Sequence, residues 1–169
     1  SKNKIIEAKK IIQNSRKKYS SNLLIRQTEF FLQNDENEKI KNFFNCKNPN
    51  DSLAEFFYTI ANLYASERDY RLSNFYLKIS LFLNSKFTPN EALLAENFYY
   101  QKKNKESKSI YYSLRSIGPA YSWYASKNIA TILLHEKGKE YSLPFSFSKI
   151  EAMFFEACQE YTDPMDLIE

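Results

Sequence analysis

Few residues in this chain could make or break bonds, and those few do not stand together. The single histidine of 169 residues, His135, lies between Leu133-Leu134 and Glu136 near the end of a helical stretch. An imidazole there serves as a helix-end or surface group rather than as a base with a nucleophile in reach. Cys46 and Cys158 are far apart, with no CxxC neighbour and no nearby histidine. That pattern argues against a zinc site and reads both as small buried apolar residues rather than a disulfide. The two glycines, Gly118 and Gly138, are too few for a phosphate loop or a dinucleotide fingerprint, and no G-x-S-x-G elbow occurs. No nucleophile, base and orienting group can be assembled by spacing, so the expectation is a chain with no catalytic residues, no cofactor and no metal.

The same shortage of glycine limits tight hairpins and favours helices over sheet. Hydrophobic residues make up 43% and charged residues 26%, a composition that supports a folded core. Apolar runs are only a few residues long, too short to span a bilayer, and no secretory leader is visible. Cytoplasm and periplasm both remain open. Ser1 in first place, with a helix under way by residue 4, reads as a segment of a longer array.

Helical periodicity runs almost throughout. It predicts helices over 3–16, 22–33, 36–46, 52–67, 70–83, 89–101, 107–117 and 120–137. Pro49 within "KNPND" reads as a turn, with Asp51 or Ser52 capping the next helix and Glu55 answering it. Thr88 caps a helix opened by Pro89, and Gly118-Pro119 is a stop signal. A small residue recurs before the last aromatic or leucine turn at Thr28, Ala61, Ala95 and Ala130, with spacings of 33, 34 and 35. A near-constant period in this range, built from two helices, is the mark of a stacked solenoid.

These residues resemble the tetratricopeptide repeat family. Its pattern is matched by Phe57, Ile60, Ala61, Tyr64, Ser73, Leu77 and Ser80 in one unit, with Ser85 where proline is usual. It is matched again by Leu94, Ala95, Phe98, Ser107, Tyr111, Leu114 and Pro119, although Glu91 replaces a bulky residue. A further unit begins with Ile129, Ala130 and Leu133, and Pro144 interrupts its second helix. Thr28, Phe31, Ile40 and Phe44 are remnants of an earlier one. In composition and overall pattern the chain looks most like repeat proteins of alphaproteobacteria. The resemblance implies an all-α fold, a right-handed α-solenoid of antiparallel helix pairs. Its parts would be an N-terminal helix (1–19), a degenerate repeat (20–51), two repeats (52–87 and 88–121), a partial repeat (122–143) and an acidic capping helix with its tail (144–169).

By the same resemblance, the first helix of each pair lines a concave groove. The groove positions are Tyr58 and Asn62, Ala92 and Glu96, Lys127 and Thr131, with Tyr99 and Tyr124 nearby. The implied role is a non-enzymatic scaffold that holds a peptide or helix of an unidentified protein. A family subset grips a C-terminal carboxylate with paired Lys, Asn and Arg, and only Asn62 and Lys127 match it. The competing reading is RNA binding, since the first twenty residues carry seven Lys or Arg against one Glu, and "KKNKESK" adds a cluster at 102–108. A sequence pI near 8.9 and the amphipathic placing of those bases favour protein over nucleic acid. In the tail, Ser148 with Glu151 forms a capping box, and Ile150, Met153, Phe154, Ala157, Cys158 and Tyr161 follow at helical spacing. Residues 141–169 hold one Lys and six acids, so the tail could close the array or pack on a basic face of its own or a neighbouring chain. Terminal faces and acidic tail are thus the surfaces open to self-association.

Overall fold

A computed structural model describes residues 2–137, which form eight α-helices and no strand. They are α1 (Lys2–Lys18), α2 (Leu23–Gln33), α3 (Asn37–Phe43), α4 (Pro49–Ser66), α5 (Tyr70–Leu83), α6 (Pro89–Tyr100), α7 (Asn104–Leu114) and α8 (Pro119–Lys137). The fold is all-α, as expected. The helix predicted from Ser148 onward and the break at Pro144 lie outside the described residues.

Local chemistry sets the helix starts. Asn22 and Asp69 each accept a backbone N–H three residues on, at 3.0 Å, and so cap α2 and α5. The start of α4 differs from the expectation. Asn48 is its cap, accepting from Asn50 N at 3.1 Å, and Pro49 is the first helical residue rather than part of a turn. Proline tolerates that position because its missing N–H would have no partner there. Asp51 lies inside the helix, buried, and holds the preceding loop by accepting from Asn45 N at 2.7 Å and Asn48 Nδ2 at 2.8 Å. Thr88 precedes Pro89 as expected but makes no side-chain cap; its hydroxyl turns to Lys86 O.

From α4 onward each helix packs on the next, and α4 also touches α6. Ala61 meets Leu77 of α5 and Leu94 of α6, while Ala95 meets Tyr111 and Leu114 of α7 and Ala125 and Ile129 of α8. Where these helices come close, serines reach across to main chain. Ser80 donates to Ala54 O, and Ser107 donates to Ala95 O at 2.8 Å. A serine can bond a neighbouring helix's carbonyl only where the two backbones come close, so a methyl is the largest group that fits beside it. Asn97 fastens α6 to α5 by donating to Ser73 Oγ at 2.7 Å and Asn74 Oδ1 at 2.8 Å.

The buried positions recur at a strict interval of 34. Gln27, Ala61 and Ala95 are each 0% exposed and Ile129 is 7% exposed. Thr28 and Ala130, aligned on small size, sit one residue off this series and are only half-buried. Size misled the alignment because the ends of the series are occupied by a glutamine and an isoleucine. The interval shows in the backbone too. Arg68 and Lys102, 34 apart and each in the turn between two packed helices, both adopt left-handed φ, at 62°. A side chain there costs roughly 1 kcal/mol or more relative to glycine.

The first helices do not follow the nearest-neighbour order. Besides α1 and α3, α2 packs against α8. Gln27 Oε1 accepts from Ala120 N at 3.1 Å, across 93 residues. Gly118, at φ 151°, makes room for it: a Cβ there would fall 2.2 Å from Gln27 Nε2. From α3, the Phe43 carbonyl accepts from Asn84 Nδ2 at 3.0 Å, and the Phe44 ring stands 6.1 Å from Phe87. Cys46, expected in the core, is exposed in the loop before α4, because that loop is tied down by Asp51 rather than by apolar burial.

Two stability changes follow. Ala95→Leu overpacks the three-helix junction and lowers unfolding free energy by about 1–3 kcal/mol in denaturant titration. Lys102→Gly relieves the left-handed turn and raises it by about 0.5–1 kcal/mol, which the same titration resolves.

Candidate functional site

Side chains from α4, α6, α7 and α8 converge on the carboxylate of Glu96. Tyr124 Oη donates to it, and the Tyr111 ring meets Tyr124 edge-on with centroids 5.7 Å apart. Burial raises the Tyr124 hydroxyl far above its usual value of 10.0, and the negative charge of Glu96 pushes it further. Burial likewise raises Tyr111, with Glu96 adding to it. Tyr58 on α4 is raised by burial first, while the Asn62 hydrogen bond pulls the other way and the Glu96 charge adds a smaller push. Tyr121 is raised by burial, and lies close enough to Tyr58 and Glu91 to sense both. Glu91 itself is raised by desolvation. The arrangement is a wall of protonated phenols around one hydrogen-bonded carboxylate. It can accept hydrogen bonds or a cation, and it holds no group poised as a nucleophile.

Of the positions expected to line a groove, Tyr58, Glu96 and Tyr124 are brought together. Asn62 is exposed beside them, donating to Tyr58 O at 3.1 Å. Ala92 does not line an open surface: at 8% exposure it belongs to the core with Tyr121 and Ala125, whose bulk from α8 covers it. Tyr99 is half-buried and its hydroxyl pairs with His135 Nδ1 at 2.9 Å. The histidine is therefore an exposed helix-end group with a phenol partner. Lys127 is exposed, its ammonium 5.5 Å above the Trp123 ring, and Arg26 of α2 stands 6.0 Å from the same ring. Thr131 is half-buried and donates to Lys127 O of its own helix at 3.0 Å.

Tyr111, Tyr121 and Glu91 escaped a reading based on groove positions. Phe87 and Tyr121, 34 apart and both buried, could have been found from the period alone. Glu91 stood out as an acid where the repeat wants bulk. It lines a cleft of about 340 Å³ with Phe31, Phe43, Lys39, Lys86 and Thr88, between the first helices and the turns before α6 and α8. The bases of α1 are partly answered within the chain, Arg16 by Glu29 at 2.6 Å and Lys9 by Asp35 at 3.7 Å. Among the described residues no cluster of His, Cys, Asp and Glu could hold a metal ion, and no helix is long and apolar enough to cross a membrane.

The tyrosine shifts predict an alkaline transition. A phenol whose folded pKa lies above its unfolded value of 10.0 adds stability in full below pH 10, and that stability drains away as pH rises beyond it. Stability should therefore fall steeply above pH 10, with tyrosinate absorbance from the buried phenols appearing only as helix content is lost. Tyr124→Phe should flatten this fall. No protein-family model, curated protein or solved structure matches this chain.

Proposed function

We propose that the chain is a non-enzymatic interaction module, in which α4–α8 form antiparallel pairs of a tetratricopeptide-like solenoid and the wall around Glu96 holds a segment of another protein. The observation that carries this reading is the recurrence at 34 residues of buried contacts (61 and 95, 73 and 107), together with convergence of side chains from α4, α6 and α8 at one carboxylate. The contacts pair the early part of one helix with the late part of the next: Ala54 with Ser80, and Ser73 with Asn97. Antiparallel neighbours meet in that way. Stacked pairs leave one continuous wall of first helices, and such walls take peptides or helices.

The chemistry of the wall selects its ligand. Glu96 offers a carboxylate already oriented by Tyr124, the phenols offer faces for a cation, and Asn62 offers an exposed amide that can bond a peptide backbone. A basic or amide-bearing segment fits these groups better than an acidic one. The pairing of Arg16 and Lys9 with acids of their own chain weighs against a phosphate-binding stripe.

The test is affinity capture by the intact chain with cross-linking, comparing wild type with Tyr58→Ala, Asn62→Ala and Glu96→Gln. Partners bound through this wall should be lost or weakened at least tenfold by the triple variant, with helix content held by circular dichroism. Capture that survives all three changes overturns the groove assignment.

A further inference from the structure

The outer faces of α4 and α5 carry apolar side chains that the other described residues leave open. On α4 these are Leu53, Phe56 and Leu63, with Ile60 half-buried between them; on α5 they are Leu72, Phe75 and Phe82, with Ile79 half-buried between them. Both sets follow the same i, i+3, i+7, i+10 spacing, which lays a narrow seam along each helix. The seams join through a run of rings. Phe56 meets Phe57, Phe57 stacks on Tyr76 at 6.2 Å, and Phe75 meets Tyr76 edge-on at 5.3 Å. Phe82 is 89% exposed.

Equivalent positions one interval later show that these seams are not required by the repeat itself. The counterparts of the α4 seam, Phe87, Asn90, Leu94 and Asn97, are all buried where α6 meets the preceding pair. The α4 seam thus presents a surface that this architecture covers with another helix pair. The counterparts of the α5 seam are Glu106, Ser109, Ser113 and Ser116, all exposed and polar. An outer face can therefore be wet, and on α5 it is greasy instead.

We propose that this face is the interface of a homodimer, with α4 of each copy packed on α5 of the other about a two-fold axis. Size and charge both point to a second copy. The six large exposed side chains present roughly 600 Å² of apolar surface, the upper end of what monomers leave bare and most of what one partner contributes to a standard interface. Past its acidic N-cap Asp69, α5 carries exposed basic charges, Arg71 and Lys78, while those of α4 and its C-cap are acidic, Glu55 and Glu67. None of the four joins an ion pair among the described residues. Crossing α4 onto the second copy's α5 lays the acidic helix on the basic one in both halves of the dimer, whereas α4 on α4 would lay acidic on acidic. Two helix pairs with matching seams close into a four-helix bundle.

Sedimentation velocity of the full chain over a dilution series tests this. Wild type should be a dimer that dissociates on dilution. Phe75→Glu with Phe82→Glu should be monomeric throughout, with unchanged helix content. If that variant loses helix, Phe82→Ser alone, at a side chain that the other described residues leave almost bare, should weaken association at least tenfold. Arg71→Glu with Lys78→Glu should weaken it severalfold. A wild type that stays monomeric, whether residues 138–169 or nothing covers the face, overturns the proposal. So does a dimer indifferent to Phe75 and Phe82, and one indifferent to the charge reversal overturns the α4-on-α5 arrangement.

Discussion

The fold depends on how closely neighbouring helix backbones approach at Ala61 and Ala95. The Ser107–Ala95 bond forms at that separation, and the Ser80–Ala54 bond marks a further close approach of α5 to α4, seven residues before Ala61. Once the separation is set, the large residues around it have one place to go. Leu77, Tyr111 and Leu114 fill the spaces beside the small residue, while Tyr58 and Tyr124 pack at the edges of the same clusters, near Glu96. Each crossing thus decides both a core and a wall. Among the buried polar groups, Ser73, Ser107 and Asn97 are hydrogen-bonded and add direction to contacts that apolar surface alone would leave free to slide.

Helix positions were largely legible in the residues, because each apolar face repeats at helical spacing; the side-chain caps were not, since those of α2, α4 and α5 are Asn22, Asn48 and Asp69 and the expected one at Thr88 does not form. The α4 start was misread because Pro49 can end one element or open another, and only the Asn48 cap decides which. The repeat was legible at Ala61 and Ala95, where a small side chain in a greasy helix has few explanations. It was not legible at Gln27 and Ile129, since neither looks like a crossing residue. The placement of Gln27 depends on Gly118, a partner 91 positions away, which local patterns cannot reveal. The same holds for Cys46, exposed because Asp51 organises its loop, and for Ala92, covered by bulk that α8 supplies.

The site was half legible. Tyr58, Glu96 and Tyr124 were all named from the first helices, and the structure sets them near one another; they are not equivalent positions of the repeat, and Ala92, the counterpart of Tyr58, is buried. Their partners Tyr111 and Tyr121 come from other registers, and the strongly shifted phenols arise from burial, which spacing does not report. Lys127 occupies a periodic position, but its ammonium is drawn to Trp123 by a cation–π contact.

The clasp between Gln27 and the turn ahead of α8 has a kinetic corollary. A stack of units that touch only adjacent units can assemble from any point and fray from either end. Here a segment near the start of the chain grips one beyond residue 117, so a large loop must close before that grip forms. Such long-range closure slows folding relative to purely local stacking. In exchange, unzipping from either end of the described helices must first undo a contact held at the other, which links the two ends into one cooperative unit.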